Sequence, residues 1–294
     1  MQTTGRDADW LDRAEYPFES HFLEVDGGRM HYVDEGQGRP IVMVHGTPTW
    51  SFLYRRLIRE LSGSYRCIAP DQIGFGLSDK PPGWGYRPED HARNLRTLIK
   101  RLHLRDIVLM VHDFGGPIGL SYAVEQPENV RALVLFNTWM WSLGDDASAR
   151  RASRLAGSRV GKFVYTRLNF SPRVLLRALY SDKSKLTKAI HRHYVKPLPS
   201  PGERQGQWVL ARELVGSSAW YERLWEKRDR IAEKPALVLW GMKDPTFGER
   251  QLARWRELFL RAEVVTFPES GHFVQEEESA RLGPIVREFL AGIP

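Results

Sequence analysis

Short apolar runs alternate with longer amphipathic stretches through much of this chain. Continuous apolar runs, typical of strands covered on both faces, occupy residues 41–44, 67–70, 106–111, 130–137, 235–241 and 263–267. Apolar positions at helical spacing predict helices over residues 51–61, 88–103, 117–124, 249–259 and 277–290. Two shorter runs, 21–25 and 30–34, flank Asp26-Gly27-Gly28 and predict a hairpin. The pattern therefore predicts an α/β fold with a mostly parallel central sheet flanked by helices.

The pattern changes between about residues 138 and 230. This segment has no run typical of a buried parallel strand, and its Arg- and Trp-rich helical patches are interrupted by prolines. We interpret the segment as a helical cap inserted above the sheet. The predicted organisation is a first part of the core at residues 1–137, a cap at 138–230 and a second part of the core at 231–294.

The turn after residues 106–111 is the centre of the functional prediction. Its sequence is His112-Asp113-Phe114-Gly115-Gly116, and it lies between a predicted strand and a predicted helix. That setting is typical of a nucleophile elbow, in which small residues permit the close approach that the sharp turn requires. Many hydrolases place Ser at the apex of this turn. Here the apex is Asp113, so the expected nucleophile is a carboxylate.

Two further polar residues follow predicted strands in the order that is typical of an α/β-hydrolase. Asp244 follows the strand at 235–241 and His272 follows the strand at 263–267, both after Asp113 in the chain. Because parallel strands collect such loops at their carboxyl ends, we expect the three side chains to meet. A single Asp or His in a loop would be an ordinary solvated residue. Three in this order predict a catalytic triad of nucleophile Asp113, acid Asp244 and base His272.

The residue type at the apex restricts the substrate. Attack of a carboxylate on a carbonyl would give a labile anhydride, whereas attack on a saturated carbon with a leaving group gives an alkyl ester. His272 would then deprotonate a water that attacks this ester, with Asp244 orienting the imidazole. The backbone N–H groups of Thr47 and Phe114 are the predicted oxyanion hole. We expect a small apolar electrophile as the substrate and water as the second reactant.

Composition narrows the class of protein. The chain of 294 residues is long enough for one α/β domain with an insertion. No apolar run reaches the roughly 18 residues of a membrane span, and the polar N-terminus has no signal-peptide pattern. The single cysteine, Cys67, excludes an intrachain disulfide and a multi-cysteine zinc site. We expect a cytoplasmic protein with no membrane partner, no metal and no organic cofactor.

The net charge of +7 raises the question of a nucleic-acid partner. The basic residues are dispersed, and the densest stretches, 150–154 and 223–230, either end after a few residues or mix with acids. We interpret these stretches as solvated helix faces and predict no nucleic-acid partner. The sequence assigns no oligomeric state.

Five stretches of the chain resemble the haloalkane dehalogenase and epoxide hydrolase branch of the α/β-hydrolase superfamily. They are HGTPTWS at 45–51, DQIGFGLSDK at 71–80, VHDFGG at 111–116, GMKD at 241–244 and SGHFVQE at 270–276. Haloalkane dehalogenases look closest, in particular those with the acid at the Asp244 position, because Asn137 stands where other members place it. The resemblance implies an α/β-hydrolase fold with a helical cap, no cofactor, and cleavage of a carbon–halogen bond.

The resemblance is incomplete at the residues that hold the departing halide. Family members use a Trp immediately after the nucleophile, together with a cap Trp or an Asn after His-Gly. Here these positions are Phe114 and Thr47, and the Phe side chain has no N–H donor. The tryptophans of the insertion are either alternative donors or packing residues, namely Trp139, Trp141, Trp208, Trp220 and Trp225. We select Trp139, Trp141 and Trp220 as halide-binding candidates.

Two alternatives to dehalogenation stay open. An epoxide hydrolase with the same triad needs O–H donors that protonate the opening ring, and the family uses cap tyrosines. The tyrosines available for this role are Tyr165, Tyr180, Tyr194 and Tyr221. A non-catalytic small-molecule receptor on a hydrolase scaffold is the other alternative, against which the complete triad argues.

Overall fold

The computed structural model describes residues 9–293, and within them an eight-stranded sheet forms the centre of the protein. Its strands in chain order are β1 (His21–Val25), β2 (Gly28–Glu35), β3 (Pro40–Val44), β4 (Arg66–Pro70), β5 (Ile107–Asp113), β6 (Val130–Thr138), β7 (Ala236–Gly241) and β8 (Glu263–Phe267). The spatial order is β1-β2-β4-β3-β5-β6-β7-β8. The first two pairings are antiparallel and the others are parallel. The predicted mostly parallel sheet is thus confirmed, as is the hairpin.

Helices cover both faces of the sheet. Those of the core are α1 (Arg55–Leu61), α2 (Pro88–Arg101), α3 (Gly115–Glu125), α10 (Glu249–Leu258), α11 (Val274–Glu277) and α12 (Ser279–Ala291). The helices between β6 and β7 are α4 (Ala147–Gly157), α5 (Arg159–Arg167), α6 (Leu176–Leu179), α7 (Lys188–Val195), α8 (Gln205–Gly216) and α9 (Ser218–Glu226). The predicted helix at 51–61 begins as a 3-10 turn, Ser51–Tyr54, and the predicted helix at 277–290 is divided at Glu278.

The central strands are apolar because they are covered on both sides. Every residue of β5 and β7 is buried, and in β6 only Arg131 is exposed. Successive side chains alternate between two apolar cores, so that Leu109 belongs to one and Met110 to the other. This continuous burial is the reason that the strands appear in the sequence as unbroken apolar runs.

A helical insertion occupies the chain between β6 and β7, and within it the structure describes helices and turns but no strand. Three of its α-helices begin at side-chain caps, and Thr187 provides the cap of α7 by accepting the N–H of Ile190. Asp146 accepts the N–H groups of Ser148 and Ala149 at the start of α4, and Ser158 accepts that of Gly161 at the start of α5. Local caps of this kind define helix ends that apolar periodicity alone does not.

No helix within residues 9–293 is long and apolar enough to cross a membrane. The polar N-terminal segment, for which no signal peptide is predicted, lies mostly outside the described residues. Cys67 is buried in β4, within the strand predicted for it.

Candidate active site

The turn between β5 and α3 places Asp113 at the carboxyl edge of the sheet. Asp113 has a φ of +52°, in the left-handed region, and its backbone C=O accepts the hydroxyl of Thr138 at 2.6 Å. A Cβ added to Gly115 would lie 2.0 Å from the carbonyl oxygen of Val44, so the close packing of the turn requires glycine there. These features are those of the predicted nucleophile elbow.

His272 lies between the two predicted acidic partners. Its Nδ1 is 2.7 Å from Oδ2 of Asp244, and its Nε2 is 3.7 Å from Oδ2 of Asp113. The backbone N–H of His272 donates to the carbonyl of Leu179, in the insertion, at 3.0 Å. The structure therefore brings together the three side chains selected from the sequence.

Asp244 is held by the residue at the end of β6. The side-chain amide of Asn137 donates to Oδ2 of Asp244 at 3.0 Å, and its carbonyl accepts the N–H of Gly241 at 2.8 Å. Thr246 donates its backbone N–H to the other carboxylate oxygen of Asp244 at 2.8 Å. Asn137 thus occupies the strand end where some family members have their acid, and here it fixes the acid supplied by the next strand.

The carboxylate of Asp113 is surrounded by backbone donors. The N–H of Thr47 donates to its Oδ1 at 2.8 Å, and a Cβ on Gly46 would lie 2.1 Å from the same oxygen. Burial raises the pKa of Asp113 to about 6, although the charge of His272 and the N–H groups of Phe114 and Thr47 favour the ionised form. The N–H groups of Thr47 and Phe114, which are the predicted oxyanion hole, therefore both interact with the Asp113 carboxylate.

Opposing effects set the protonation of His272. Burial lowers its pKa, but the charges of Asp244 and Asp113 and the hydrogen bond to Asp244 outweigh burial, and the pKa is raised. The hydrogen bond to Asp244 is made by Nδ1, which leaves Nε2 toward Asp113. The imidazole is thereby oriented for proton transfer on the side of the elbow.

Trp139 is the halide-binding candidate that lies at the site. Its ring meets that of Phe114 edge-on, with centroids 4.8 Å apart, and stacks on Phe247 at 4.8 Å. Phe247 in turn lies 5.8 Å from the ring of His272. The indole N–H of Trp139 and the hydroxyl of Thr47 are both buried, and neither has a hydrogen-bond partner among the described residues. Unpaired buried donors are costly unless something else accepts from them.

The other tryptophans of the insertion have packing partners elsewhere. Trp141 lies 5.0 Å from the ring of Trp225 and 4.9 Å from that of Trp255. The indole of Trp208 donates to the carbonyl of Ala156. Trp208 is thus a packing residue within the insertion, and Trp141 packs where the insertion meets the core.

Trp220 packs 5.5 Å from the ring of Tyr221, which itself lies 5.8 Å from Trp139. It is half-buried and stands one ring farther from the elbow than Trp139. Among the three candidates, only Trp139 has a ring contact with Phe114 within the described residues.

The tyrosines proposed for ring protonation have other roles in two cases. The hydroxyl of Tyr221 donates to the backbone carbonyl of Glu213 at 2.9 Å, and that of Tyr194 donates to the carboxylate of Glu276 at 2.5 Å. The hydroxyl of Tyr180 is buried without a partner among the described residues, and its ring packs on Phe273 in the opposite apolar core from Trp139.

Glu277 joins the loop of His272 to the insertion. Its carboxylate accepts the N–H of Gly271 on one oxygen and those of Ser181 and Asp182 on the other, at 2.9–3.1 Å. Burial raises the pKa of Glu277, although these three N–H groups lower it. Sequence analysis missed this contact because it joins residues almost one hundred positions apart.

No cluster of three or more metal-ligating side chains was found within residues 9–293. A cavity of about 550 Å³ opens beside the first hairpin and is lined in part by Phe18, Leu77 and Pro197. None of the three candidate catalytic side chains lines it. We therefore do not assign the substrate to this cavity.

The strand order, the elbow and the acid–histidine pair define the class of α/β-hydrolases. The profile of a family described as "alpha/beta hydrolase fold" matches residues 39–279. The solved structure of the haloalkane dehalogenase DatA from Agrobacterium tumefaciens C58 superposes with a TM-score of 0.86 at 25% identity, covering 97% of this chain and all of that one.

Curated relatives narrow the class. "Haloalkane dehalogenase 2" of Mycobacterium tuberculosis (strain ATCC 25618 / H37Rv) is 37% identical over 275 residues, covering 93% of this chain and 95% of the relative. A "Cis-3-alkyl-4-alkyloxetan-2-one decarboxylase" of Shewanella oneidensis is 33% identical over 294 residues, covering 93% and 89%. The chain belongs to the α/β-hydrolase fold family, as a haloalkane dehalogenase-like member, and is a hydrolase.

Proposed function

We propose that this hydrolase cleaves the carbon–halogen bond of small haloalkanes through an alkyl ester on Asp113. The observation that carries the proposal is the arrangement of one carboxylate oxygen near His272 and the other on the N–H of Thr47. An Asp in this position is chemically suited to displacement at saturated carbon. The similarity to haloalkane dehalogenases over 93% of the chain supports the choice of substrate class.

In the first step, an oxygen of the Asp113 carboxylate attacks the carbon that bears the halogen. A C–O bond forms as the C–X bond breaks, and the halide departs with the bonding electron pair. The pKa of about 6 for Asp113 keeps the carboxylate ionised above that pH, yet its burial limits the hydration that would weaken attack.

In the second step, His272 accepts a proton from water through Nε2 while the water oxygen attacks the ester carbonyl carbon. The resulting oxyanion is stabilised by the N–H groups of Thr47 and Phe114. Collapse of this intermediate breaks the bond between the carbonyl carbon and the alkyl oxygen, and the alkoxide takes the proton from His272 and leaves as the alcohol. Asp113 is left as the carboxylic acid, and its proton passes through His272 to water, which restores the carboxylate. Asp244 stabilises the imidazolium that forms between the two transfers.

We assign the departing halide to the unpaired donors beside Asp113. The indole N–H of Trp139 would replace the donor that Phe114 lacks, and the buried hydroxyl of Thr47 would be the second donor. Charge-assisted hydrogen bonds of this type each contribute about 1.5–3 kcal/mol. Trp220 and Trp141 are less suited, because their rings pack away from Phe114.

We further propose that the helical insertion acts as a cap on the site. Its contacts with the catalytic loop support this, since Leu179 accepts the N–H of His272 and the N–H groups of Ser181 and Asp182 bind Glu277. The cap would exclude bulk water while the halide leaves.

A second candidate reaction is ring opening and decarboxylation of a cis-3,4-dialkyl oxetan-2-one. The 33% identity to the decarboxylase of Shewanella oneidensis over most of both chains favours it. Attack of Asp113 on the alkyl-substituted ring carbon next to oxygen would break the C–O bond and leave a carboxylate. Loss of CO2 with expulsion of Asp113 would then give an alkene without consuming water. Epoxide opening has less support, because the hydroxyls of Tyr194 and Tyr221 are engaged elsewhere.

A substrate panel tests these assignments. Purified protein is incubated with 1-bromoalkanes, terminal epoxides and a cis-3,4-dialkyl oxetan-2-one, and halide, diol, alkene and CO2 are measured. We expect halide release that is lost in Asp113→Asn. Alkene and CO2 without halide release would establish the decarboxylase reaction instead. Tight ligand binding with no product from any substrate would indicate a receptor.

A further inference from the structure

The part of the insertion from residue 147 to residue 181 has an unusual distribution of charge. It contains eight Arg and Lys residues and no Asp or Glu, so its charge exceeds the net charge of +7 of the whole chain. The eight are Arg150, Arg151, Arg154, Arg159, Lys162, Arg167, Arg173 and Arg177. All of them are exposed, and none forms an ion pair with another described residue. This segment therefore carries a local excess of positive charge that no acidic residue of the segment offsets.

The same segment exposes large apolar side chains. Leu155 is 62% exposed, Val160 67% and Phe163 56%, and Leu168 and Val174 are also about half exposed. These are five of the six exposed large apolar residues within residues 9–293. Scattered exposed apolar residues need no explanation, but their concentration in one segment indicates a binding surface.

On helix α5 the two kinds of residue share one face. Val160, Phe163 and Arg167 are spaced at i, i+3 and i+7, with Arg159 beside them, while Gly161 and Thr166 face the protein. The face continues onto α4. A Cβ on Gly161 would lie 1.9 Å from the carbonyl oxygen of Leu155, which brings the end of α4 against the start of α5.

A groove of about 420 Å³ adjoins this face, and its walls include Arg159, Lys162, Phe163 and Arg167. Cationic groups at its edge are matched to phosphate groups, and the exposed aliphatic and aromatic side chains are matched to acyl chains. A nucleic acid would neutralise the charge but would leave Leu155 and Val160 in water. An anionic lipid surface would bind the basic side chains through its phosphate groups and the apolar side chains through its acyl chains.

We propose that the basic apolar face of α4 and α5, residues 150–167, docks on the surface of an anionic lipid bilayer. The helices would lie in the interface without crossing it, with Val160 and Phe163 inserted at the level of the head groups. This proposal revises the expectation of no membrane partner, and it is independent of the reaction that the protein catalyses.

Vesicle flotation tests the proposal with the full-length protein. We expect the protein to float with vesicles of phosphatidylcholine plus phosphatidylglycerol and to remain in solution with pure phosphatidylcholine. Because the attraction is partly electrostatic, added salt should release the protein from the vesicles. Inorganic phosphate at the same ionic strength should release it no better than chloride does, since the proposed ligand is the surface and not a free anion.

Two double variants separate charge from apolar contact. Arg159→Gln with Arg167→Gln should lower the partition coefficient about fivefold for each arginine, and Val160→Ser with Phe163→Ser about tenfold. The matched controls are exposed residues of the core. Lys100→Gln with Arg101→Gln, and separately Leu260→Ser at the most exposed apolar position, should leave binding unchanged.

Three outcomes would overturn the proposal. The first is absence of binding to anionic vesicles, and the second is equal loss of binding in the control variants. The third is that the two double variants abolish self-association or binding to an oligonucleotide while vesicle binding persists. Circular dichroism and turnover of a water-soluble substrate confirm that each variant is folded.

Discussion

The sheet and the helical insertion contribute to the candidate site in different ways. The sheet supplies Asp113, Asp244 and the loop of His272 from the ends of strands that are buried on both faces. The insertion supplies Trp139, next to the end of β6, and backbone contacts to the histidine loop. In our proposals, the buried strands fix the reacting groups, whereas the insertion holds the leaving group and carries the docking surface. Reaction type and substrate preference are therefore separable, and each is open to its own experiments.

The largest effect is expected in the sheet, at the nucleophile. Asp113→Asn keeps the shape of the side chain but removes the charge, so turnover should fall by about three orders of magnitude or more. Asp106→Asn is a matched control, because Asp106 also has a positive φ, +52°, at the opposite end of β5. Steady-state halide release should be near the wild-type rate in this control. Comparable losses in both variants would mean that the effect arises from the backbone and not from the carboxylate.

The second-largest loss of activity is expected from a substitution in the insertion. Trp139→Phe removes one buried N–H and keeps an aromatic ring, so halide binding and turnover should fall about tenfold to a hundredfold. Trp141→Phe, two residues along the chain, should change neither, because that ring packs on Trp225 and Trp255. Chloride inhibition and bromide release measure the two quantities. Equal behaviour of the two variants would remove Trp139 from the halide site.

In contrast to the losses expected above, one substitution at the elbow should increase bromide binding and release. Phe114→Trp adds an indole N–H beside the nucleophile, and where the pocket accommodates it, bromide should bind more tightly and leave faster. Thr47→Asn replaces the hydroxyl donor with a longer amide that carries two N–H donors, and it should act in the same direction. We expect gains of a few-fold, because Phe114→Trp adds one charge-assisted donor and Thr47→Asn exchanges a hydroxyl donor for amide donors. Weaker bromide binding in both variants would contradict this location of the leaving group.

The strand-end residues could be predicted from the sequence because their positions follow from periodicity. Asp113, Asp244 and His272 each follow an apolar run within five residues, and parallel strands present their carboxyl ends at one edge. The choice among tryptophans could not be predicted, because Trp139 and Trp141 occupy the same apolar stretch and differ only in their distant partners. Nor could the contact of Glu277 with the insertion, which depends on how two remote loops pack.

The expected pH dependence of the reaction follows from the raised pKa values of Asp113 and His272. Burial raises the pKa of Asp113 to about 6, so ester formation should decline as the pH falls through about 6, where protonated Asp113 cannot attack. His272 must be neutral to accept a proton, and its pKa is raised, so ester hydrolysis should also be lost on the acid side. Single-turnover measurements across pH separate the two steps. A rate that rises on acidification would contradict both assignments.

The smallest effect is expected where the sheet and the insertion meet. Glu277→Gln keeps the shape but weakens acceptance of three N–H groups, so KM and kcat should change a few-fold through misplacement of the histidine loop. Because the pKa of Glu277 is raised, wild-type protein should lose this contact on acidification at a higher pH than an ordinary Glu would. Glu249→Gln is the control, because its carboxylate binds Arg256 on α10 and does not contact the histidine loop. Identical pH profiles of Glu277→Gln and wild type would exclude this role.

The covalent ester on Asp113 is the central claim, and trapping it is the most direct test. His272→Ala removes the base for hydrolysis but leaves the nucleophile in place, so the ester should accumulate. After incubation with a 1-bromoalkane that the wild type turns over, intact mass should increase by the alkyl group. Peptide mapping should then locate the addition on Asp113. No adduct, an adduct on another residue, or undiminished turnover by His272→Ala would contradict the account.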